Sequence, residues 1–398
     1  MNILFLTLVN IKSFEEKQNI YADLCRELVR RGHRVHIVCP DESGADTQFV
    51  PYERGSGVLK VRTGRVQKTN ILRKGIATIL LPATLKRAIQ RWFECNRYDM
   101  VVYSTPPITL LSIVKYIKER DKAQTYLLLK DIFPQNAVDI GMMNTTGLKG
   151  LLYKHFRRVE KRLYAISDRI GCMSQANVDY VLRHNPEVDP SKVEICPNAI
   201  EVQDMSADVN IRAELRTKYG IPQDKKVFVY GGNLGKPQGI PFLMQCLEKE
   251  QNNADAYFLI VGDGTEYKKL ETWFADVKPA NAKLLKRLPK EDYDRMVAAC
   301  DVGMIFLDHR FTIPNFPSRL LSYLQAKLPV LACTDPNTDI GKVITGGGFG
   351  WWCESNNAEA FSMNICKALE ADLPQMGKNG FEYLCEHYTA EKAYETVI

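Results

Sequence analysis

The stretch from Asn315 to Val330 reads Asn-Phe-Pro-Ser-Arg-Leu-Leu-Ser-Tyr-Leu-Gln-Ala-Lys-Leu-Pro-Val. A proline near a helix start, with Ser318 and Arg319 in the first turn and an apolar run behind, builds a seat for an anion. Unpaired amides at a helix amino end carry about half a positive charge. Arg319 adds a forked, permanently charged donor, a combination that suits a diphosphate. The same residues serve equally well in an ordinary surface helix packed through Leu320, Leu321 and Leu324.

Other chemistry-bearing residues sit at the ends of apolar runs. Tyr230-Gly-Gly-Asn-Leu-Gly-Lys-Pro-Gln-Gly239 follows a strand pattern and precedes a helix pattern, the place where open α/β sheets bind ligands. Its glycines let backbone approach a ligand, Lys236 supplies a mobile cation, and Asn233 and Gln238 supply neutral hydrogen bonds. The Gly-x-Gly-x-x-Gly spacing of dinucleotide binders is absent. Val261-Gly-Asp-Gly-Thr-Glu266 forms a second glycine loop at a strand end, able to pass under a ligand or to be a plain turn. Leu129-Lys-Asp-Ile-Phe-Pro134 places Lys130 and Asp131 at another strand end, where Asp131 could act on a substrate, cap the next helix or pair with Lys130. The six histidines are dispersed and form no metal-binding pattern, so no protein-bound catalytic metal is expected.

These segments need a scaffold of alternating strands and helices. Asn2–Leu8, Arg34–Cys39, Met100–Tyr103 and Thr125–Leu129 read as buried strands. Ile20, Leu24, Leu28 and Val29 form one face of a helix over Asn19–Arg31 that Gly32 stops. The pattern restarts after Pro197-Asn198, through strands at Lys226–Tyr230, Tyr257–Val261, Val302–Phe306 and Val330–Cys333. Two Rossmann-like α/β domains in series are expected, 1–197 and 198–375, facing across a cleft, with a helix over 376–398 returning to the first.

Composition agrees with such a scaffold and excludes several alternatives. A chain of 398 residues with 45% hydrophobic and 25% charged residues can build two ordinary cores. Its eleven cysteines are scattered, with no Cys-x-x-Cys pair, and read as reduced thiols. Met1-Asn2 leads into Ile-Leu-Phe-Leu without a basic leader, so a strand and a cytoplasmic setting are expected. No apolar run approaches the ~20 residues that span a bilayer. Between Lys60 and Arg91 lie nine basic residues and no acidic one, which exceeds the net charge of +6 for the whole chain. Arg73, Lys74, Lys86 and Arg87 there mix with Ile71, Ile76, Leu80 and Leu85, the pattern of an interfacial element facing anionic headgroups. A solvated basic face is the plainer reading; a nucleic-acid surface lacks any accompanying recognition motif.

Taken in order, these motifs resemble retaining family 4 glycosyltransferases of the GT-B fold. The likeness covers nearly the whole chain and is strongest over Lys226–Cys333. There Tyr-Gly-Gly-Asn-Leu-Gly-Lys-Pro-Gln-Gly, Val-Gly-Asp-Gly, Leu-Pro-Lys-Glu-Asp-Tyr and Pro-Ser-Arg-Leu-Leu-Ser-Tyr-Leu line up. Within the family the chain looks closest to bacterial capsule and O-antigen enzymes of the L-fucosamine transferase type. It departs from the wider family at four places: Pro314 and Ser322 replace two glutamates, and Asn233 and Gln238 replace an Arg and a Lys of the glycine loop.

The resemblance implies a nucleotide-sugar donor, a UDP-sugar by preference, held by the second domain. Arg287 and Leu288 would lie by the base, Ser322 by the ribose, and Lys236, Ser318, Arg319 and Leu320 around the diphosphate. Gly232 and Gly262 would allow close approach, and Asp131 is the candidate assisting carboxylate. It further implies a lipid-linked saccharide acceptor, peripheral contact with the inner face of the cytoplasmic membrane, and no obligatory cofactor or metal. Two other readings share the fold: a UDP-sugar 2-epimerase, and a catalytically silent scaffold in a polysaccharide assembly.

Overall fold

The computed structural model describes residues 1–17, 19–64 and 71–398, side chains at 71–80, 148 and 149 excepted. The chain forms two compact units, Met1–Glu201 with Thr389–Ile398, and Val202–Tyr388.

The first unit is built on eight strands: β1 (Asn2–Leu6), β2 (Arg34–Asp41), β3 (Gln48–Pro51), β4 (Gly57–Arg62), β5 (Met100–Thr105), β6 (Gln124–Leu129), β7 (Arg169–Cys172) and β8 (Val193–Ile195). They lie in the order β3-β4-β2-β1-β5-β6-β7-β8, parallel except for β3 against β4. Helices cover a parallel sheet on both faces, which is why β5 is buried at all six positions and β2 at seven of eight. The helix Ile20–Arg30 starts where the Asn19 side chain accepts from the Tyr21 and Ala22 amides, at 3.1 and 3.3 Å.

The second unit carries β9 (Lys226–Asn233), β10 (Ala256–Asp263), β11 (Ala282–Lys286), β12 (Val302–Phe306), β13 (Val330–Thr334) and β14 (Gly350–Glu354). Their order is β11-β10-β9-β12-β13-β14, all parallel. In this sheet the winding reverses between β9 and β12; in the first it reverses between β1 and β5. Such reversals open crevices at the carboxyl ends of the strands.

The returning segment is shorter than the 376–398 expected from sequence. The helix Leu373–His387 stays with the second unit, because Gly377 and Gly380 let it press on the helix Arg319–Gln325 and the turn after it. A Cβ at Gly377 would collide with the Lys327 carbonyl, and one at Gly380 would lie 2.8 Å from the Leu324 side chain. Only Thr389–Ile398 joins the first unit. There the Ala390 amide donates to the Ile200 carbonyl (2.9 Å), while Ala393 and Val397 enter the core formed by Ala22, Cys25 and Leu28. The first boundary falls at Glu201, four residues beyond the expected 197.

Candidate functional site

The site in the second unit begins with a split in its sheet. β9 and β12 pair only at Val302–Phe228 and Gly303–Val229, so Tyr230–Asn233 and Met304–Phe306 leave each other unpaired. Tyr323 fills the split: its hydroxyl donates to the carbonyls of Val229 (3.2 Å) and Met304 (3.1 Å), and its ring occupies the space where a side chain at Gly303 would be. One helical turn earlier, the largely buried Arg319 places its guanidinium 4.4 Å over the Tyr230 ring. Tyr230 is fully buried and its hydroxyl is held by the Asn233 carbonyl at 2.8 Å.

Gly232 exists to admit this arginine. Its φ of +124° is one that only glycine adopts without strain, and a Cβ built there would lie 2.8 Å from Arg319 Nη2. The guanidinium thus lies against Gly232, which in turn lines a pocket of about 410 Å³ with Asn233, Gly262, Arg287, Leu288 and Tyr293, Val261, Asp263 and Lys290 completing the wall. Among the described residues no carboxylate forms an ion pair with Arg319. A partly desolvated cation without a counter-charge, beside a pocket at a sheet reversal, is suited to an anionic ligand.

Other residues singled out from sequence fall in different places. Lys236 is exposed on a short turn, Lys236–Gln238. Asn233 Nδ2 donates to Gln238 Oε1 at 3.0 Å, and Gln238 Oε1 also accepts the Gly235 amide at 3.2 Å, so one polar end of each amide side chain shapes the loop while Asn233 also lines the pocket. The loop is tied to the end of β12, where the Asp308 amide donates to Pro237 O at 2.9 Å. The helix Arg319–Gln325 has only seven residues, too short for a strong dipole, and Ser318 makes no side-chain cap bond. Leu320 is fully buried and its amide already donates to Pro317 O at 3.2 Å, so neither its side chain nor its amide is available to a phosphate. The anion seat read from this helix therefore narrows to Arg319. Ser322 is partly exposed one turn further on.

Tyr293, in the pocket wall, and Tyr323, in the split between β9 and β12, were not legible as site residues. A Cβ at Gly231 would collide with the Tyr293 ring, a contact between residues 62 positions apart. At the end of β13, fully buried Asp335 accepts the Asn337 and Thr338 amides at Oδ1 (2.9 and 3.2 Å), while Oδ2 has no partner. Burial raises its carboxyl to about 6.

At the reversal in the first sheet, hydroxyls and one carboxylate gather at the strand ends. Ser104 Oγ donates to Thr7 Oγ1 (3.3 Å), and Thr105 Oγ1 donates to the Asp131 carbonyl (3.2 Å). Asn136 Nδ2 donates to Asp131 Oδ2 at 2.6 Å, and burial lifts the Asp131 carboxyl to about 6. Lys130 turns away to donate to Cys196 O at 3.1 Å, which removes the Lys130–Asp131 pair considered from sequence.

Comparison with known proteins gives this geometry a family. Residues 18–204 match the family "Glycosyltransferase Family 4", and residues 211–382 match "Glycosyl transferases group 1". The chain is a GT-B glycosyltransferase. Among its relatives is a Pseudomonas aeruginosa protein described as "Probable glycosyltransferase WbjE", 25% identical over 82% of this chain and 79% of that one. Another is "Putative colanic acid biosynthesis glycosyl transferase WcaI" of Escherichia coli, 21% identical over 86% of each chain. The glycosyltransferase also shares its fold with Anabaena HepE, solved with UDP and glucose, at a TM-score of 0.71 and 14% identity, covering 100% of this chain and 98% of that one. Both family matches favour transfer over the epimerase and scaffold readings.

The membrane segment read from sequence is only partly visible in the glycosyltransferase. Residues 65–70 and the side chains of Arg73 and Lys74 lie outside the described part. Lys86 places its amine 4.5 Å over the Tyr116 ring, so it faces the fold rather than a lipid surface, whereas Arg87 is exposed. No helix among the described residues is long and apolar enough to cross a membrane.

Proposed function

We propose that this glycosyltransferase moves a sugar from a nucleotide-activated donor, a UDP-sugar, to a lipid-linked glycan acceptor in capsular or other surface-polysaccharide biosynthesis, with retention at the anomeric carbon. The observation that carries the donor side is the Arg319 guanidinium beside Gly232, without a carboxylate partner, next to the pocket that holds Arg287 and Leu288. WcaI, named for colanic acid biosynthesis, and HepE, solved with UDP and glucose, support the same reading.

The chemistry follows from charge. Glycosyl transfer separates an oxocarbenium-like sugar from a departing nucleoside diphosphate, so a preorganised cation on the diphosphate lowers the barrier. Arg319 supplies that charge from the helix side, where the wider family draws it from the loop positions held here by Asn233 and Gln238. Lys236, exposed and mobile, adds a second cation as the donor closes on the loop. No protein nucleophile and no metal is required: the acceptor hydroxyl approaches on the leaving-group face and its proton passes to the donor phosphate. Asp131, in the first unit, is the assisting carboxylate. The protein works in the cytoplasm, in peripheral contact with the inner face of the membrane that holds its acceptor.

A thermal-shift screen against nucleoside diphosphates and their sugars tests the donor, because a ligand of the folded state raises its stability in proportion to affinity. UDP and one UDP-sugar should raise the melting temperature; absence of a shift with every common nucleoside diphosphate would defeat the proposal. Proton NMR of the product then reads the anomeric configuration, and inversion would remove the retaining assignment.

A further inference from the structure

Between the end of β12 and the helix Arg319–Gln325 the chain runs irregularly through residues 307–318. Connections of that length inside a compact unit are uncommon and are often functional. The helix itself has seven residues, about 10 Å at 1.5 Å per residue, too few to hold a helix without help from its surroundings. The place of Arg319 is therefore set by what fixes the two ends of this helix. At the carboxyl end, Gln325 is 2% exposed, and its carbonyl and its side-chain Oε1 accept the Met205 and Gln203 amides, both at 2.9 Å. At the amino end the hold comes from the loop after β13. Asn337 Nδ2 donates to Phe311 O, and Thr338 Oγ1 donates to Asn315 O, each at 2.6 Å.

Two adjacent side chains thus pin two carbonyls of the irregular segment. Between the second pin and Arg319 lie Phe316, Pro317 and Ser318, and the fixed φ of the proline stiffens that connection. The pins are set in their turn by Asp335, which accepts the Asn337 and Thr338 amides on Oδ1 and so closes residues 335–338 into a turn. Thr334 anchors the turn to β14: its hydroxyl accepts from Trp352 Nε1 (2.8 Å) and donates to the Asp335 carbonyl (3.0 Å), while its own carbonyl accepts the Ser355 amide (2.9 Å). Thr338 is 6% exposed, so its bond to Asn315 is shielded from water. Among the described residues that line the 410 Å³ pocket, none comes from 335–338, so this turn can act on a ligand only through what it holds.

We propose that Thr338 and Asn337, in the turn closed by Asp335, are positioning residues of the donor site: by pinning Asn315 and Phe311 they hold Arg319 where its guanidinium meets the donor diphosphate. This rests on the donor reading given above and adds to it the part of the second unit that keeps the cation in place. A binding group works only when its support holds it to within about 0.5 Å. With the hydroxyl of Thr338 gone, the amino end of the helix is free to shift while Gln325 still holds the other end, and ligand binding must then provide the order that the pin provided before.

A double-mutant cycle between Thr338 and Arg319 in the full chain, read by calorimetric titration with UDP, tests it. T338V keeps the shape of the side chain and removes the hydroxyl; it should weaken UDP binding about three- to tenfold, the range that one neutral hydrogen bond spans. T338S keeps the hydroxyl and should stay within about twofold of the wild type. In the R319M background T338V should have no further effect, because the cation it positions is gone. N281A is the control: it removes side-chain bonds to the Glu250 and Asn253 carbonyls (2.8 and 3.1 Å) at the amino end of β11, and should lower the melting temperature while leaving UDP affinity unchanged. If T338V binds UDP as the wild type does, weakens it equally with and without Arg319, or is matched by T338S, Thr338 is a structural residue and the inference is overturned. N337A, at an exposed residue, runs the same cycle through Phe311 with the same two outcomes should T338V not fold. Failure of the donor reading looks different: a wild type that does not bind UDP, or an R319M variant that binds it as the wild type does, removes that reading and this inference with it, whatever Thr338 does.

Discussion

Replacing Arg319 with methionine should abolish most nucleotide-diphosphate affinity without weakening the fold. The guanidinium is the charged group at the mouth of the split between β9 and β12, stacked 4.4 Å over Tyr230. A charge-assisted hydrogen bond to a phosphate contributes about 1.5–3 kcal/mol, so its loss should weaken UDP binding roughly 10- to 150-fold. On the stability side two effects oppose each other. Loss of the cation–aromatic contact costs about 0.5–2 kcal/mol, while removing a desolvated charge that no carboxylate offsets returns an amount of the same order or more. Methionine keeps the volume, so the melting temperature should stay within about 4 °C of the wild type or rise, since each 1 kcal/mol corresponds to about 2–4 °C in a unit of this size. R319K should recover part of the affinity, because it restores the charge but not the fork. Isothermal titration with UDP and a thermal melt of the same samples provide both numbers. A drop of more than about 8 °C with unchanged UDP affinity, equivalent to at least ~2 kcal/mol, would show Arg319 to be a structural residue and refute the reasoning.

Three further perturbations follow. Gly232→Ala puts a Cβ at a φ of +124° and 2.8 Å from Arg319 Nη2; it should cost about 1–3 kcal/mol in urea melts and weaken UDP binding as well, and wild-type values of both would remove the claim that Gly232 admits the arginine. Asp335 titrates at about 6 in the folded protein against 3.8 as its ordinary value, so its proton stabilises the fold fully below about pH 4 and that contribution is lost as pH rises through 6. D335N should therefore match the wild type near pH 4 and exceed it by up to about 3 kcal/mol at pH 8, and an equal difference at both pH values would contradict the assignment. Val397→Asp introduces a charge at a fully buried position in the first unit and should cost at least ~3 kcal/mol there. The UDP response of the second unit should survive at temperatures where the first has melted; a single transition unchanged from wild type would contradict the packing of Thr389–Ile398.

Much of the fold could be read from residue pattern because parallel strands covered on both faces appear as plain apolar runs. Val302–Phe306 was read to the residue, and β1, β5, β6 and β13 to within one or two residues at each end. β3, β7 and β11 leave no clear strand pattern because they are short and, in β3 and β11, mostly half-exposed, so their composition is mixed; β4, buried at four of its six positions, also goes unread, since its end falls in the basic stretch that starts at Lys60. The glycine loop after β9 and the arginine at 319 were legible as chemistry. Their relation was not, since the stacking on Tyr230, the Tyr323 wedge and the Tyr293 wall join residues that sequence spacing does not bring together. Asn233 and Gln238 show the converse: side chains that can bind a ligand also bond each other through Nδ2 and Oε1, a contact set by the turn at Lys236–Gln238. The sequence assigns 376–398 to the first unit, whereas the helix Leu373–His387 packs within the second through Gly377 and Gly380, whose missing side chains make a contact that residue pattern does not show.

The central claim is that the second unit grips a nucleoside diphosphate through Arg319, and calorimetric titration with uridine, UMP, UDP and UDP-sugars tests it most directly. UDP should bind at least about tenfold more tightly than UMP, and UMP more tightly than uridine, with the UDP advantage absent in R319M, as expected if one charge-assisted contact is made to the second phosphate. Equal affinities for UMP and UDP, or a UDP preference that survives R319M, would contradict it.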